Sequence, residues 1–214
     1  MSKLIHKIEG CTICGLDHSR KAQLKLTKNM DVLFVAEVIN PRNGLEVLPK
    51  KGFNTAGYYF NKLLDESDAT YTYCKTNAVL CPSLHATTHI PPVYVSNCRK
   101  WLREVIEYCD PRVVVPLGRV AVTSCCKIQD PYGINGAFIS GIVGRAKVWH
   151  GRYLFPLIHT SGNAVAAVRS YPQMLRDFRN LAKFVDDLKF GEDEVNDVDD
   201  GAKATGSEVT SELA

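Results

Sequence analysis

Hydrophobic residues along the chain fall into short apolar runs that alternate with longer stretches of helical spacing. Asp31–Glu37 (DVLFVAE) is a continuous apolar run, predicted as a buried strand that ends in the turn-rich segment Asn40-Pro41-Arg42-Asn43-Gly44. Thr55–Asp65 predicts a helix with Tyr59, Phe60, Leu63 and Leu64 on its apolar side. Tyr73–Leu80 predicts a second strand, followed by a Pro-containing loop, Cys81–Pro92. Cys98, Leu102, Val105 and Cys109 fall on one face of a helix predicted over Asn97–Cys109. Arg112–Leu117 predicts a third strand, Gly118–Ala121 the opening of a helix, and Val148–Ile158 a fourth strand ending at His159. Tyr171–Leu188 predicts a closing helix with Pro172 in its first turn, where proline is tolerated. Strands alternating with helices, without an internal repeat, predict a three-layer α/β/α sandwich with a mainly parallel central sheet. Ligands of such sheets bind at the carboxyl ends of the strands. The segments to search are therefore Glu37–Asn43, Asn77–Cys81, Gly118 and His159–Asn163.

Charge divides this picture in two. The whole chain of 214 residues carries a formal charge of +3, but eight acids and one base lie in residues 191–214. Residues 1–190 then hold 25 bases against 15 acids. The acidic segment has no aromatic residue and too few apolar ones to bury, so it is expected to be a disordered tail after one domain over 1–190. No apolar run approaches the roughly 20 residues that span a bilayer, and the start lacks the apolar core of a signal peptide. The expectation is a soluble, cytoplasmic protein whose eight cysteines sit in a reducing compartment, where metal or cluster ligation is a better default than disulfides.

Among those cysteines, Cys11 and Cys14 form a C-x2-C pair, and Cys81 and Cys98 form a second, wider pair. A redox dithiol belongs at a strand-to-helix turn, whereas Cys11 and Cys14 precede the first strand. Four thiolates suit zinc or an iron–sulfur cube, and spacing does not separate the two. Cys74, Cys109, Cys125 and Cys126 are expected to act as small apolar core residues.

The ordered series of motifs carries a resemblance. It runs CTICGLDHSR, a strand leading into VAE, FNTAG, TNAVLC, VVVPLGRVA, GRAKVWHG and LIHTS. Together they resemble the family 4 uracil-DNA glycosylases, which carry a [4Fe-4S] cluster. The likeness covers nearly all of 8–188, and its most specific pieces are C-x2-C-x-L-x3-R and N-x3-C. It implies removal of uracil from DNA by hydrolysis of the base–sugar bond, with Cys11, Cys14, Cys81 and Cys98 holding the cluster and zinc as the alternative.

Excision requires the nucleotide to be extruded, the base edge read, charge on the departing pyrimidine stabilised, and a water positioned. By the resemblance, Asn77 reads the base with its side-chain amide, His159 supports charge on O2, and Ser161 follows in the substrate-binding motif. The family's Gly-Glu-Ala-Pro-Gly appears here as Ala36-Glu37-Val38-Ile39-Asn40-Pro41, which keeps the acid and loses the glycines that allow close backbone approach. Glu37 is the first candidate to position water or stabilise the sugar cation. A second register makes Asn40 that group, and Glu46 corresponds to a further acid. Phe53 stands where the family stacks a ring on the flipped base. Thr160 replaces the usual Pro and is expected to loosen the wedge loop Thr160–Arg169. Cys81-Pro82-Ser83-Leu84 lacks a family arginine. Lys50, Lys51, Arg99, Lys100, Arg119, Arg145, Lys147, Arg152 and Arg169 are candidates to supply phosphate contacts in its place. The expected partner is single- or double-stranded DNA bound by a monomer. The acidic tail is expected either to compete for the basic face or to serve a protein partner.

Overall fold

The computed structural model describes residues 3–15, 21–40, 44–50, 52–82, 90–133 and 139–201, with backbone alone for 139 and 192–201. Five strands form one sheet: β1 (Val32–Val38), β2 (Tyr73–Val79), β3 (Val113–Pro116), β4 (Lys147–Trp149) and β5 (Arg152–Leu154). Their order is β2-β1-β3-β5-β4, parallel throughout except for the antiparallel edge strand β4. The predicted sandwich is therefore observed. Six helices accompany the sheet among the described residues: α1 (Lys3–Glu9), α2 (Ala56–Glu66), α3 (Pro92–Cys109), α4 (Arg119–Cys126), α5 (Gly162–Ala167) and α6 (Tyr171–Gly201).

Alternation along β1 sorts the layers. Phe34 points to one face, where its ring meets Phe60 of α2 at 4.9 Å and stacks with Phe178 of α6 at 6.2 Å. Leu33 pairs in register with Cys74, which turns to the opposite face and hydrogen-bonds Cys109 of α3. All four cysteines expected in the core are buried. Because β1 is followed by β2 on one side and β3 lies on the other, the strand order reverses beside β1, and a crevice opens there at the carboxyl ends.

Four expectations need correction. The run Val148–Ile158 is not one strand: His150 and Gly151 both take positive φ (51° and 71°), and this two-residue turn folds β4 back on β5. Regular pairing then stops near Pro156, which has no N–H. The chain nevertheless continues beside β3, with Leu157 N–H donating to Pro116 O and Gly118 N–H to Leu157 O. Helix α3 begins at Pro92, not Asn97, because a proline in the first turn starts a helix as readily as it marks a loop. The segment Thr160–Arg169 contains α5, capped by the Ser161 hydroxyl, which accepts from Ala164 N–H. Lastly, α6 runs past the expected end at Leu188 to Gly201, so the acidic segment begins as helix. Lys189 is 2.8 Å from Asp31, at the amino ends of the strands, so α6 heads away from the carboxyl edge. The rest of the acidic segment, 202–214, lies outside the described residues, as do Leu16–Arg20, Pro41, Lys51, Ser83 and Leu84.

Candidate active site and cysteine cavity

The extended segment after β5 delivers His159 to the carboxyl edge beside Gly118, which caps β3 and opens α4. Gly118 has φ +87°, and a Cβ there would lie 2.7 Å from Glu37 Oε1 and 2.8 Å from His159 Cβ. Only glycine fits this position, both for its backbone and for the space left by its two neighbours. Glu37 Oε1 accepts the backbone N–H of Val120 at 3.1 Å, in the first turn of α4, where a carboxylate is favoured by the unpaired amides. Burial lowers the His159 imidazole below its ordinary value, and the Glu37 carboxylate pulls it partly back up. Ser161 N–H donates to His159 Nδ1 at 3.2 Å, so the neutral ring carries its proton on Nε2.

Asn77 lies toward the carboxyl end of β2, opposite Ala36. It is 2% exposed, and its Nδ2 is buried without a hydrogen-bond partner. An unsatisfied buried amide of this kind costs about 1–3 kcal/mol, a strain tolerated where a ligand will complete it.

The lip of the crevice is tied to α2. Thr160, fully buried, donates from Oγ1 to Ala56 O at 2.9 Å, so replacing the family proline has anchored the turn and not loosened it. A Cβ on Gly162 would stand 2.6 Å from Asn54 Oδ1, which joins the start of α5 to the residue beside Phe53. Phe53 itself is 83% exposed, with Tyr58 at 5.2 Å as its ring neighbour, so it is not a core phenylalanine. Asn40 is exposed, and Glu46 is exposed and ion-paired with Lys75 at 3.8 Å. The structure thus brings Glu37 and His159 together around Gly118, seats Asn77 on the same edge, and leaves Asn40 and Glu46 outside that contact.

A family model of the uracil DNA glycosylase superfamily matches residues 27–189. The chain belongs to this superfamily. With membership goes a DNA glycosylase-type function, that of a hydrolase acting on DNA. No helix among the described residues is long and apolar enough to cross a membrane.

Two of the basic residues expected to contact phosphate are used inside this glycosylase fold. Arg152 lies at the amino end of β5 and bonds Ile106 O and the Asp110 carboxylate. Arg169 clamps Asp177 of α6 through two nitrogens. Lys50 is 3.9 Å from Asp65, and Lys100 lies over the Trp101 ring at 4.3 Å.

Cys11 and Cys14 precede residue 27, where the superfamily match begins, and their segment packs against the matched part of the chain. Cys11, Cys14, Cys81 and Cys98 line one cavity with Ile8, Lys21, Leu80, Asn97 and Trp101. Cys98 lies well inside α3, not at its start. Burial and the neighbouring sulfurs push the Cys81 thiol up and the Cys98 thiol up to about 11. Burial acts the same way on Cys11, but the Ile13 N–H, the Trp101 indole, Lys21 and Lys100 outweigh it and hold that thiol low. Asn97 Nδ2 donates to Cys14 Sγ at 3.5 Å. The Trp101 indole N–H is buried without a well-formed hydrogen bond. Among the described residues, no three His, Cys, Asp or Glu side chains converge as a site for a single metal ion. Sequence reasoning missed Lys21, Asn97 and Trp101, whose role depends on two distant segments meeting, and it gave Gly118 no role beyond its position after a strand.

Proposed function

We propose that the chain hydrolyses the N-glycosidic bond of uracil in DNA and leaves an abasic site. The observation that carries the reading is the buried, unpartnered amide of Asn77 on the edge that also holds His159 and Glu37. An amide matches uracil in both directions: Nδ2 donates to O4 and Oδ1 accepts from N3–H. The flipped base supplies the partner that Asn77 lacks. Nε2–H of the neutral His159 donates to O2 as the C1′–N1 bond lengthens and charge moves onto the pyrimidine. Glu37, held by the α4 amide, faces the oxocarbenium-like sugar and orients the water that attacks it. Phe53 at the lip offers an exposed ring for base stacking. The excess of basic residues in 1–190 supplies sequence-independent attraction to phosphates.

The four cavity cysteines are read as ligands of a [4Fe-4S] cluster, with zinc as the alternative: they share one cavity, four thiolates suit either group, and the motif resemblance favours the cluster. When bound, such a cluster would pin the N-terminal segment to Leu80–Cys81 and to α3. Cys11, Cys14, Cys81 and Cys98 would hold it, and Asn97 would orient Cys14.

A second reading is favoured by Val38, which stays in β1, and by buried Ile39, which stand in place of the Ala and Pro of the family motif. These side chains suit a pocket reshaped for another modified pyrimidine, or a DNA-binding adaptor with weak catalysis. Release of free uracil from uracil-containing DNA by purified protein tests the first reading. Binding without release supports the adaptor.

A further inference from the structure

Lys21 is a residue that the glycosylase chemistry does not use. It is 6% exposed, which is rare for lysine unless its charge is answered. Its Nζ lies 2.9 Å from Ile8 O and 2.5 Å from both Glu9 O and Cys11 O. Three acceptors use all three N–H bonds of an ammonium, whereas a neutral amine has only two. The buried group is therefore a cation. Among the described residues no carboxylate is paired with it. Taking an ion out of water costs several kcal/mol, and three neutral carbonyls offset only part of that. It shares its cavity wall with the four thiols, the other lining residues Ile8, Leu80, Asn97 and Trp101 carrying no charge.

We propose that Lys21 is the built-in counter-charge of the cysteine cage, offsetting the negative charge of four thiolates around an iron–sulfur cluster. This rests on the cluster reading above. Four thiolates outweigh the charge of an oxidised [4Fe-4S] core, so the bound group is an anion, and reduction by one electron makes it more so. A fixed cation on the wall favours both retention of the cluster and its reduced form. Capping of the last carbonyls of α1 is a second effect, made by the bonds to Ile8 O and Glu9 O, and it is separable because a neutral amide can also donate to carbonyls.

The test compares full-length wild type, Lys21→Gln and Lys21→Arg after iron and sulfide reconstitution. The readouts are helical circular dichroism, iron per chain, the rate of bleaching by a chelator, and midpoint potential. The Gln variant should keep its fold, bleach about 10-fold faster and show a more negative potential. The Arg variant should stay near wild type in both. A Gln variant with wild-type bleaching and potential overturns the role of Lys21 while leaving the cluster intact. Should the Gln variant not fold, a large negative shift in the Arg variant overturns it equally. A wild-type chain that takes up no iron overturns the cluster reading and this inference with it.

Discussion

Ser161 donates its backbone N–H to Nδ1 of His159 at 3.2 Å, and this one bond decides which ring nitrogen of the neutral imidazole carries the proton. A main-chain donor cannot turn away or titrate, so the tautomer is set by the fold. Burial reinforces it by disfavouring the imidazolium. In the proposed reaction this neutral donor supports the leaving anion.

His159 should therefore stay neutral below its ordinary value of 6.5. The unfolded chain takes up the proton first, so the contribution of His159 to stability is full above 6.5 and is lost as pH falls toward the lower folded value. Excision should hold through pH 6.5 and decline only below it. Glu37→Gln removes the charge that raises the imidazole, so the His159 ring signals in an NMR titration should move to lower pH; an upward shift would refute the pairing. His159→Ala should lower the excision rate by about 10²–10³-fold.

Asn77→Ala separates stability from function. Deleting an unsatisfied buried amide removes a penalty of about 1–3 kcal/mol while losing some packing, so urea unfolding should show little net destabilisation. Excision of uracil should fall by at least about a hundredfold. Marked destabilisation would mean that the amide already has its partner in the free protein.

Gly118→Ala should be damaging on both counts. The new Cβ meets Glu37 Oε1 and His159 Cβ at positive φ, a strain of about 1–3 kcal/mol relieved only by moving one of them. Thermal unfolding and single-turnover excision should both worsen. A variant that is stable but slow would mean that the backbone yields and the two side chains part.

Ser161→Ala distinguishes a substrate contact from a cap. The hydroxyl accepts from Ala164 N–H, so its loss should cost about 1 kcal/mol of stability. The bond to His159 uses the backbone of Ser161 and survives the change, so kcat/KM should be retained. A large loss of kcat/KM with normal stability would show Ser161 to be a direct substrate ligand as well as a cap.

The parallel core was legible because β1, β2 and β3 are short apolar runs whose ends carry the site residues Glu37, Asn77 and Gly118. The hairpin β4–β5 was not, because Val148–Ile158 is apolar on both sides of a His-Gly turn that works only through two positive φ angles. Helix α5 escaped notice because six residues show no period. The four cavity cysteines came from spacing and resemblance. Lys21 carries no signal in the sequence, since its burial depends on α1 folding over the cavity. Thr160 reads as a missing proline in sequence and as an anchor to Ala56 in space.

The proposed chemistry stands or falls on strand scission at uracil. Purified chain should be incubated with single- and double-stranded oligonucleotides carrying one uracil, with thymine controls, and abasic sites then cleaved by alkali. Breaks at uracil alone, lost in Asn77→Ala and His159→Ala, are the predicted result. Intact uracil strands at stoichiometric protein would contradict it.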